Sequence, residues 1–248
     1  VEEQIEGRNP VLEAIKAKRP IHKIFVSHDF DRRGPLGQVV GLAKEAGIPV
    51  EYTDQRALSR LSQTGRSQGV IAVAAAKATV ELDDLFRISK EKGERPFYVL
   101  LDGIEDPQNL GAIIRTAHAA GVHGVIIPTR RAAGLTAAVS RASAGALEYM
   151  QVARVTNIAQ AMERLNKEGV WTVGVDPTGP KSYAEADYRQ GVSLIIGAEG
   201  RGLSHLVREK CEVLVSIPMR GEVASLNASV AGALVMYEAM RQRAKATA

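Results

Sequence analysis

Apolar positions along this chain follow two rhythms, short unbroken runs and helical spacing, and the two alternate. In the first part, HKIFVS (22–27), PVEYT (49–53) and GVIAVAAA (69–76) predict strands. Between them LGQVVGLAKEAG (36–47) spaces its apolar residues at helical intervals and stops at a glycine. GRNPVLEAIKA predicts a further helix, with Asn9 as its N-cap and Pro10 at its first helical position. From Pro96 the alternation restarts with stronger runs: FYVLLDGI (97–104), GVIIP (124–128), WTVGVD (171–176), VSLIIGAE (192–199) and EVLVSIP (212–218). Such near-continuous runs suit strands covered on both faces. The helical stretches NLGAIIRTAHAAG, NIAQAMERLNKEG and ASLNASVAGALVMYEAMRQR separate them, which predicts an α/β fold with a mostly parallel sheet. Residues 77–95 (KATVELDDLFRISKEKGER) are charge-dense, hold one amphipathic helix and end at a Gly/Pro boundary. The pattern therefore divides into a small α/β unit over 1–76, a linker over 77–95 and a larger domain over 96–248.

In parallel α/β sheets ligands bind beyond the carboxyl ends of the strands, and three strand ends here carry unusual residues. DGIEDPQNLGAIIRTAHAAG (102–121) sets a helix start at Asp106–Pro107, Asn109 in the first turn and Arg115 among residues suited to burial. Asn109 is equally readable as a capping residue. SLIIGAEGRGLS (193–204) places Glu199 among Gly197, Gly200 and Gly202. Three glycines let a main chain approach a ligand closely, and a helix from Leu203 is expected to offer free N–H groups. IPMRGEVASLNASVAGALVMYEAM (217–240) predicts a strand end, a loop and a helix starting near Ser225, with Ser225 readable as an N-cap and Asn227 inside the first turn. Ala228, Ala231, Gly232 and Ala233 read as tight helix packing.

Composition narrows this picture little. The chain has 248 residues, 45% hydrophobic and 24% charged, as in ordinary globular proteins. Its net charge of +4 is mild, but 21 Arg stand against 11 Lys, and a planar guanidinium suits phosphate and stacks on bases. Aromatics make up only 4%, which argues against base stacking as the main binding mode. No run reaches the length of a membrane span, and VEEQIEGRNP is too acidic and polar for a signal peptide. A start at Val1 suggests a trimmed terminus. The lone Cys211 excludes an intrachain disulfide and a cysteine zinc cluster, which fits a reducing cytosol. No metal is expected, because His118, His123 and His205 lack ligand-like partners in sequence. Neither G-x-G-x-x-G nor a P-loop is present, which removes support for a dehydrogenase or kinase.

Taken together, DPQNLGAIIRTA, IIGAEGRGLS and IPMRGEVASLNASVAGALVMYEA resemble the SpoU (TrmH-like) branch of the SPOUT RNA methyltransferases, in the family's order and over nearly all of 97–243. The leading IEGRNPVLEAI, HKIFVS and GVIAV are similar, more loosely, to the ribosomal-protein-L30e-like substrate-binding domain of bacterial 23S rRNA guanosine-2′-O-methyltransferases. The resemblance implies an α/β SPOUT domain with a deep trefoil knot, a cytoplasmic homodimer with active sites near its interface, and methyl transfer from S-adenosylmethionine to a ribose 2′-hydroxyl. It implies cofactor contacts at Gly197, Glu199, Gly200, Ile217, Met219, Ser225, Leu226 and Asn227, with Gly197 letting the main chain pass against the cofactor.

By the same resemblance Asn109, Arg115, Glu199, Ser225 and Asn227 surround the reacting hydroxyl. Methyl transfer needs in-line geometry, so positioning carries most of the acceleration. A guanidinium loses its proton only above about pH 12, so Arg115 is expected to hold a phosphate or the incipient oxyanion. Glu199 is expected to orient Arg115 or accept the proton. In the leading unit Arg8, Asn9, Arg60 and Arg66 are the expected RNA contacts. Two other readings stay open: a tRNA 2′-O-methyltransferase of the same family, and an inactive RNA-binding or ribosome-assembly factor.

Overall fold

The computed structural model describes residues 2–222 and 225–246; Val223 and Ala224 of the third motif, Val1, and the final two residues lie outside them. The chain forms two compact units, one of Val1–Ala78 with Gly134–Tyr149, the other of Thr79–Ala133 with Met150–Ala248.

In the first unit β1 (Glu2–Glu6), α1 (Arg8–Lys16), β2 (Ile21–Ser27), α2 (Pro35–Glu45), β3 (Val50–Thr53), α3 (Gln55–Leu61) and β4 (Val70–Ala75) follow one another. The sheet order is β1-β4-β2-β3, antiparallel except for the β2–β3 pair. Its core gathers Ile5, Val11, Ile24, Val26, Val39 and Val70, each fully buried. The strand β1 was not foreseen, because EEQIE alternates too few apolar residues to signal itself. Asn9 is not the N-cap of α1: the helix opens at Arg8 behind Gly7, which places Asn9 at its second residue.

In the second unit come α4 (Leu82–Glu91), β5 (Phe97–Asp102), α5 (Pro107–Ala119) and β6 (Gly124–Pro128). The chain then returns to the first unit for Gly134–Tyr149, which carries α6 (Ala137–Ala142). It resumes with β7 (Val152–Val155), α7 (Ile158–Lys167), β8 (Trp171–Val175), β9 (Lys181–Ser182), β10 (Val192–Gly197), α8 (His205–Lys210), β11 (Val213–Ser216) and α9 (Ala228–Ala246). The seven strands order as β7-β6-β5-β10-β8-β11-β9, and every pairing is parallel. Burial on both faces explains the unbroken runs: Tyr98, Val99, Leu100 and Leu101 in β5 are each wholly buried. The segment expected as a linker holds α4, whose Leu82 and Leu85 join the core of this unit with Ile126, Met162 and Leu165. No helix among the described residues is long and apolar enough to cross a membrane.

Strand order reverses direction at β5, with β6 on one side and β10 on the other. Crevices at such switch points are the usual ligand sites of open α/β sheets.

Candidate active site

The glycine-rich loop after β10 folds back on itself. Ala198 N–H donates to the Gly202 carbonyl at 3.1 Å and Gly202 N–H to the Ala198 carbonyl at 2.8 Å. Closing so short a hairpin takes left-handed backbone, supplied by Gly200 at φ 77° and Gly202 at φ 65°. Gly197 has a different reason: a Cβ there would lie 2.2 Å from the Gly202 carbonyl carbon. Its missing side chain therefore makes room for the loop's own return. No helix runs from Leu203. The helix α8 begins at His205, and the Ser204 N–H before it is taken by Asp102 Oδ2 at 2.7 Å. Asp102 thus ties the loop to the end of β5.

This fold-back brings Glu199 to two amides. Glu199 Oε2 accepts from Asn109 Nδ2 at 3.3 Å and from Asn227 Nδ2 at 3.0 Å, while Asn227 Nδ2 also donates to Asn109 Oδ1 at 2.9 Å. Each corner is held by its own element. Asp106 caps α5, accepting from Gln108 N–H at 3.3 Å and Asn109 N–H at 3.0 Å, with Pro107 at the first helical position as expected. Asn227 is itself the cap of α9: its Oδ1 accepts from Ser229 N–H at 2.9 Å, Ser229 Oγ at 2.6 Å and Val230 N–H at 3.4 Å. The helix therefore starts at Ala228, three residues later than expected, and Ser225 is an exposed loop residue instead of the cap. Because the cap consumes Asn227 Oδ1, its NH₂ is the group turned toward Glu199.

Beside this triad a cleft opens at the ends of β8, β10 and β11. Val175, Ile196, Ile217 and Leu226 give it apolar walls, and Gly197, Glu199, Gly200, Met219 and Ser225 also line it; of the expected cofactor contacts Asn227 is not among the lining residues. Along α9 the small residues serve close packing, since a Cβ on Gly232 would meet Ile196 Cδ1 at 2.6 Å. The cleft adds Asp176, unforeseen as a site residue, whose signal in the sequence is an aspartate directly after an apolar run. Burial works to raise the Asp176 carboxyl, but hydrogen bonds from Thr178 and the nearby Arg208 outweigh it and hold the acid below the usual range.

Arg115 does not join the cluster. Six residues beyond Asn109 it points roughly 240° around α5, and its side chain is exposed, not buried. Glu199, expected to orient it, engages the two asparagines through Oε2 instead. In the first unit Arg8, Asn9, Arg60 and Arg66 are all exposed. Arg8 Nε donates to the Gln68 carbonyl at 3.3 Å, so it is tied to the loop before β4. That loop hangs on the fully buried Glu6, whose carboxylate accepts from Ser62 Oγ at 2.7 Å, Gln63 N–H at 2.6 Å and the Thr64 hydroxyl. Nothing in the sequence marks Glu6. Among the described residues no three His, Cys, Asp or Glu gather as metal ligands would.

Known proteins match this chain in sequence and in fold. Residues 96–237 match the SpoU rRNA Methylase family, and residues 4–80 match the RNA 2′-O ribose methyltransferase substrate binding family. A TrmH family tRNA/rRNA methyltransferase of Bacillus subtilis is 46% identical over 237 residues, covering 96% of this chain and 94% of the relative. The SpoU methyltransferase AviRb of Streptomyces viridochromogenes, solved with AdoMet, superposes with TM-score 0.80 at 29% identity over 98% of this chain and 91% of that one. An AdoMet-bound rRNA methyltransferase of Sinorhizobium meliloti matches with TM-score 0.75 at 25% identity over 97% of this chain and 87% of that one. A TrmH/SpoU tRNA modifying enzyme of A. aeolicus matches 67% of this chain and 86% of its own, with TM-score 0.57 and 27% identity. With residues of the three strand-end motifs joined by hydrogen bonds and the family matched over more than half of the chain, this chain belongs to the SpoU (TrmH) family of RNA methyltransferases.

Proposed function

We propose that the protein moves a methyl group from S-adenosylmethionine to a ribose 2′-hydroxyl of RNA, and that the RNA is 23S rRNA, modified at a guanosine. The observation that carries this is the Asn109–Glu199–Asn227 triad at the mouth of an apolar cleft. When bound, the cofactor supplies an electrophilic methyl on a positively charged sulfur. Val175, Ile196, Ile217 and Leu226 would hold the adenosine, and the Asp176 and Glu199 carboxylates suit the ligand's cationic end. Asn109 and Asn227 hold Glu199 by its Oε2, which fixes where the carboxylate can accept a proton from a sugar hydroxyl. Ser225, exposed at the rim, contacts the incoming nucleotide. Arg115 holds an RNA phosphate as a fixed cation, since a guanidinium is a poor base.

Ribosomal RNA is favoured over tRNA by coverage. The rRNA-directed neighbour matches 97% of the chain, whereas the tRNA-modifying one matches only 67%. A homodimer is part of the proposal. Val230, Leu234 and Tyr237 on one stripe of α9 stay 47%, 39% and 47% exposed, an apolar face that a second copy would cover. The proposed substrate places the protein in the cytoplasm.

The test incubates purified protein with labelled S-adenosylmethionine and transcripts of 23S rRNA or tRNA, followed by nucleoside analysis and sedimentation of the protein. A 2′-O-methylguanosine in the 23S transcript and a dimer mass are expected. Label in tRNA alone, on a base, or nowhere despite calorimetric binding of the cofactor would reject the assignment.

A further inference from the structure

Aromatic residues are few, yet two of the first unit's four Phe and Tyr residues share one surface. Phe30, three residues past the end of β2, and Tyr52, near the carboxyl end of β3, lie together. Parallel pairing of these strands brings the two ends side by side, and His28 N–H donates to the Thr53 carbonyl at 2.9 Å. The result is a ladder of three near-parallel rings. Tyr52 has its centroid 6.3 Å from His28 at an interplanar angle of 22°, and 6.2 Å from Phe30 at 7°.

Tyr52, in the centre of this ladder and on an edge strand, is 43% exposed. Phe30 leans on the core and fixes the ring plane from below. The rings line an open groove with Arg32, Lys44 and Gly41. The neighbouring acid Asp31 turns its carboxylate to the Arg33 N–H at 2.8 Å, building the turn from which Arg32 projects; Asp29 is exposed on the same loop. The groove floor is unusual in a second way. Gly41 sits in the middle of α2, where glycine weakens a helix relative to alanine, yet no atom lies within 4 Å of where its Cβ would be. Packing gives no reason for that glycine; it leaves the groove bare.

Sequence-reading proteins recognise single-stranded RNA by splaying unpaired bases onto aromatic rings and guanidinium planes. A ring ladder with cations at its rim has that form. We infer that the His28–Tyr52–Phe30 ladder is a stacking platform for an unpaired nucleobase of the RNA substrate, with Arg32 and Lys44 taking the flanking phosphates. The inference rests on the reading that RNA is the substrate and adds a specific grip to it.

The test begins with methylation of the 23S transcript by the wild-type protein, then compares variants in the full chain. Binding is followed by anisotropy of a labelled single-stranded oligouridylate and oligoadenylate, and KM and kcat are measured on the transcript. Tyr52→Ala is expected to weaken RNA binding roughly ten- to a hundredfold, raising KM while leaving kcat and cofactor affinity unchanged. Tyr52→Phe keeps the ring and should bind like the wild type. Gly41→Leu, which fills the groove without touching the rings, should weaken binding without lowering the thermal midpoint. Arg32→Ala should flatten the salt dependence by about 0.7 in the log–log slope, as expected for one phosphate of a single strand, whereas Tyr52→Ala should not. RNA affinity within twofold of wild type for Tyr52→Ala, or an equal loss for Tyr52→Phe, overturns the platform. If the wild type methylates no RNA, the functional reading falls first; if it does and Tyr52→Ala is indifferent, the platform falls alone.

Discussion

Asn227 performs two tasks with opposite ends of one amide, and the two can be separated. Its Oδ1 caps α9 while its Nδ2 donates to Asn109 and Glu199. Asn227→Asp keeps the capping oxygen but turns a second carboxylate toward Glu199. Its urea midpoint should stay near wild type, because Asp and Asn cap about equally well. Methyl transfer should fall roughly ten- to a hundredfold, the worth of a hydrogen bond to a charged group. Asn227→Ala should lose about 1 kcal/mol of stability as well. Gly197→Ala is a steric test: its methyl must displace the Gly202 main chain. A cost of roughly 1–3 kcal/mol is expected from overpacking, and calorimetry should find cofactor binding weakened with the loop's displacement. The three motifs were legible in the sequence as places where polar residues interrupt apolar and glycine-rich surroundings. The reason for Gly197 was not, because it depends on a main-chain path five residues later.

At the scale of elements, local signals carried eight of the eleven strands among the described residues and most helices, whereas β1, β7 and β9 gave none. GVIIP became β6 with the expected bounds, and the Asp106–Pro107 start of α5 was written in its residue types. Errors collected at helix starts, where Gly7 stands before α1 in place of Asn9 and Asn227 caps α9 in place of Ser225, two residues away in each case. The junction of α4, β5 and β6 contains a pH-sensitive feature invisible to pattern. His123, 3% exposed, accepts from Phe97 N–H at Nδ1 and faces Glu94 through Nε2. Burial lowers its pKa, although Glu94 opposes this. The fold therefore requires the neutral ring, whereas the unfolded chain takes up a proton below about pH 6.5. Its contribution is complete above that pH and shrinks as pH falls through it. Urea titrations of wild type and His123→Asn should differ most at about pH 7.5, and the gap should narrow toward about pH 5.5.

At the scale of the whole molecule, the first unit is discontinuous. Gly134–Tyr149 belongs to it, and buried Glu148 is clamped there: Arg19 donates to Glu148 at 2.7 Å, to Glu3 at 2.6 Å and to the Ala75 carbonyl. Lys77 Nζ closes the cluster on the Glu148 carbonyl at 2.8 Å. Arg19 and Glu148 side chains are 6% and 1% exposed, so removing the arginine strands a charge out of water. Arg19→Ala should cost about 3–5 kcal/mol, read as a lower urea midpoint, and Arg19→Lys should recover only part of it. For the same reason, deleting residues 1–76 would strip the packing from Ala137, Val139 and Leu147 and would not isolate one unit cleanly. Surface variants such as Tyr52→Ala are the sounder probe of RNA binding.

The sequence by itself determined the alternation of strands and helices, the doubly covered parallel sheet and the three motif sites, because periodicity, capping and burial act over a few neighbouring residues. Tertiary structure alone decided that Asn109 and Asn227, 118 positions apart, would share Glu199, that residues 134–149 would cross to the first unit, and that His28, Phe30 and Tyr52 would meet at one surface. Those outcomes depend on which strands become neighbours in the sheet. That order is settled by long-range packing and leaves no trace in the local pattern.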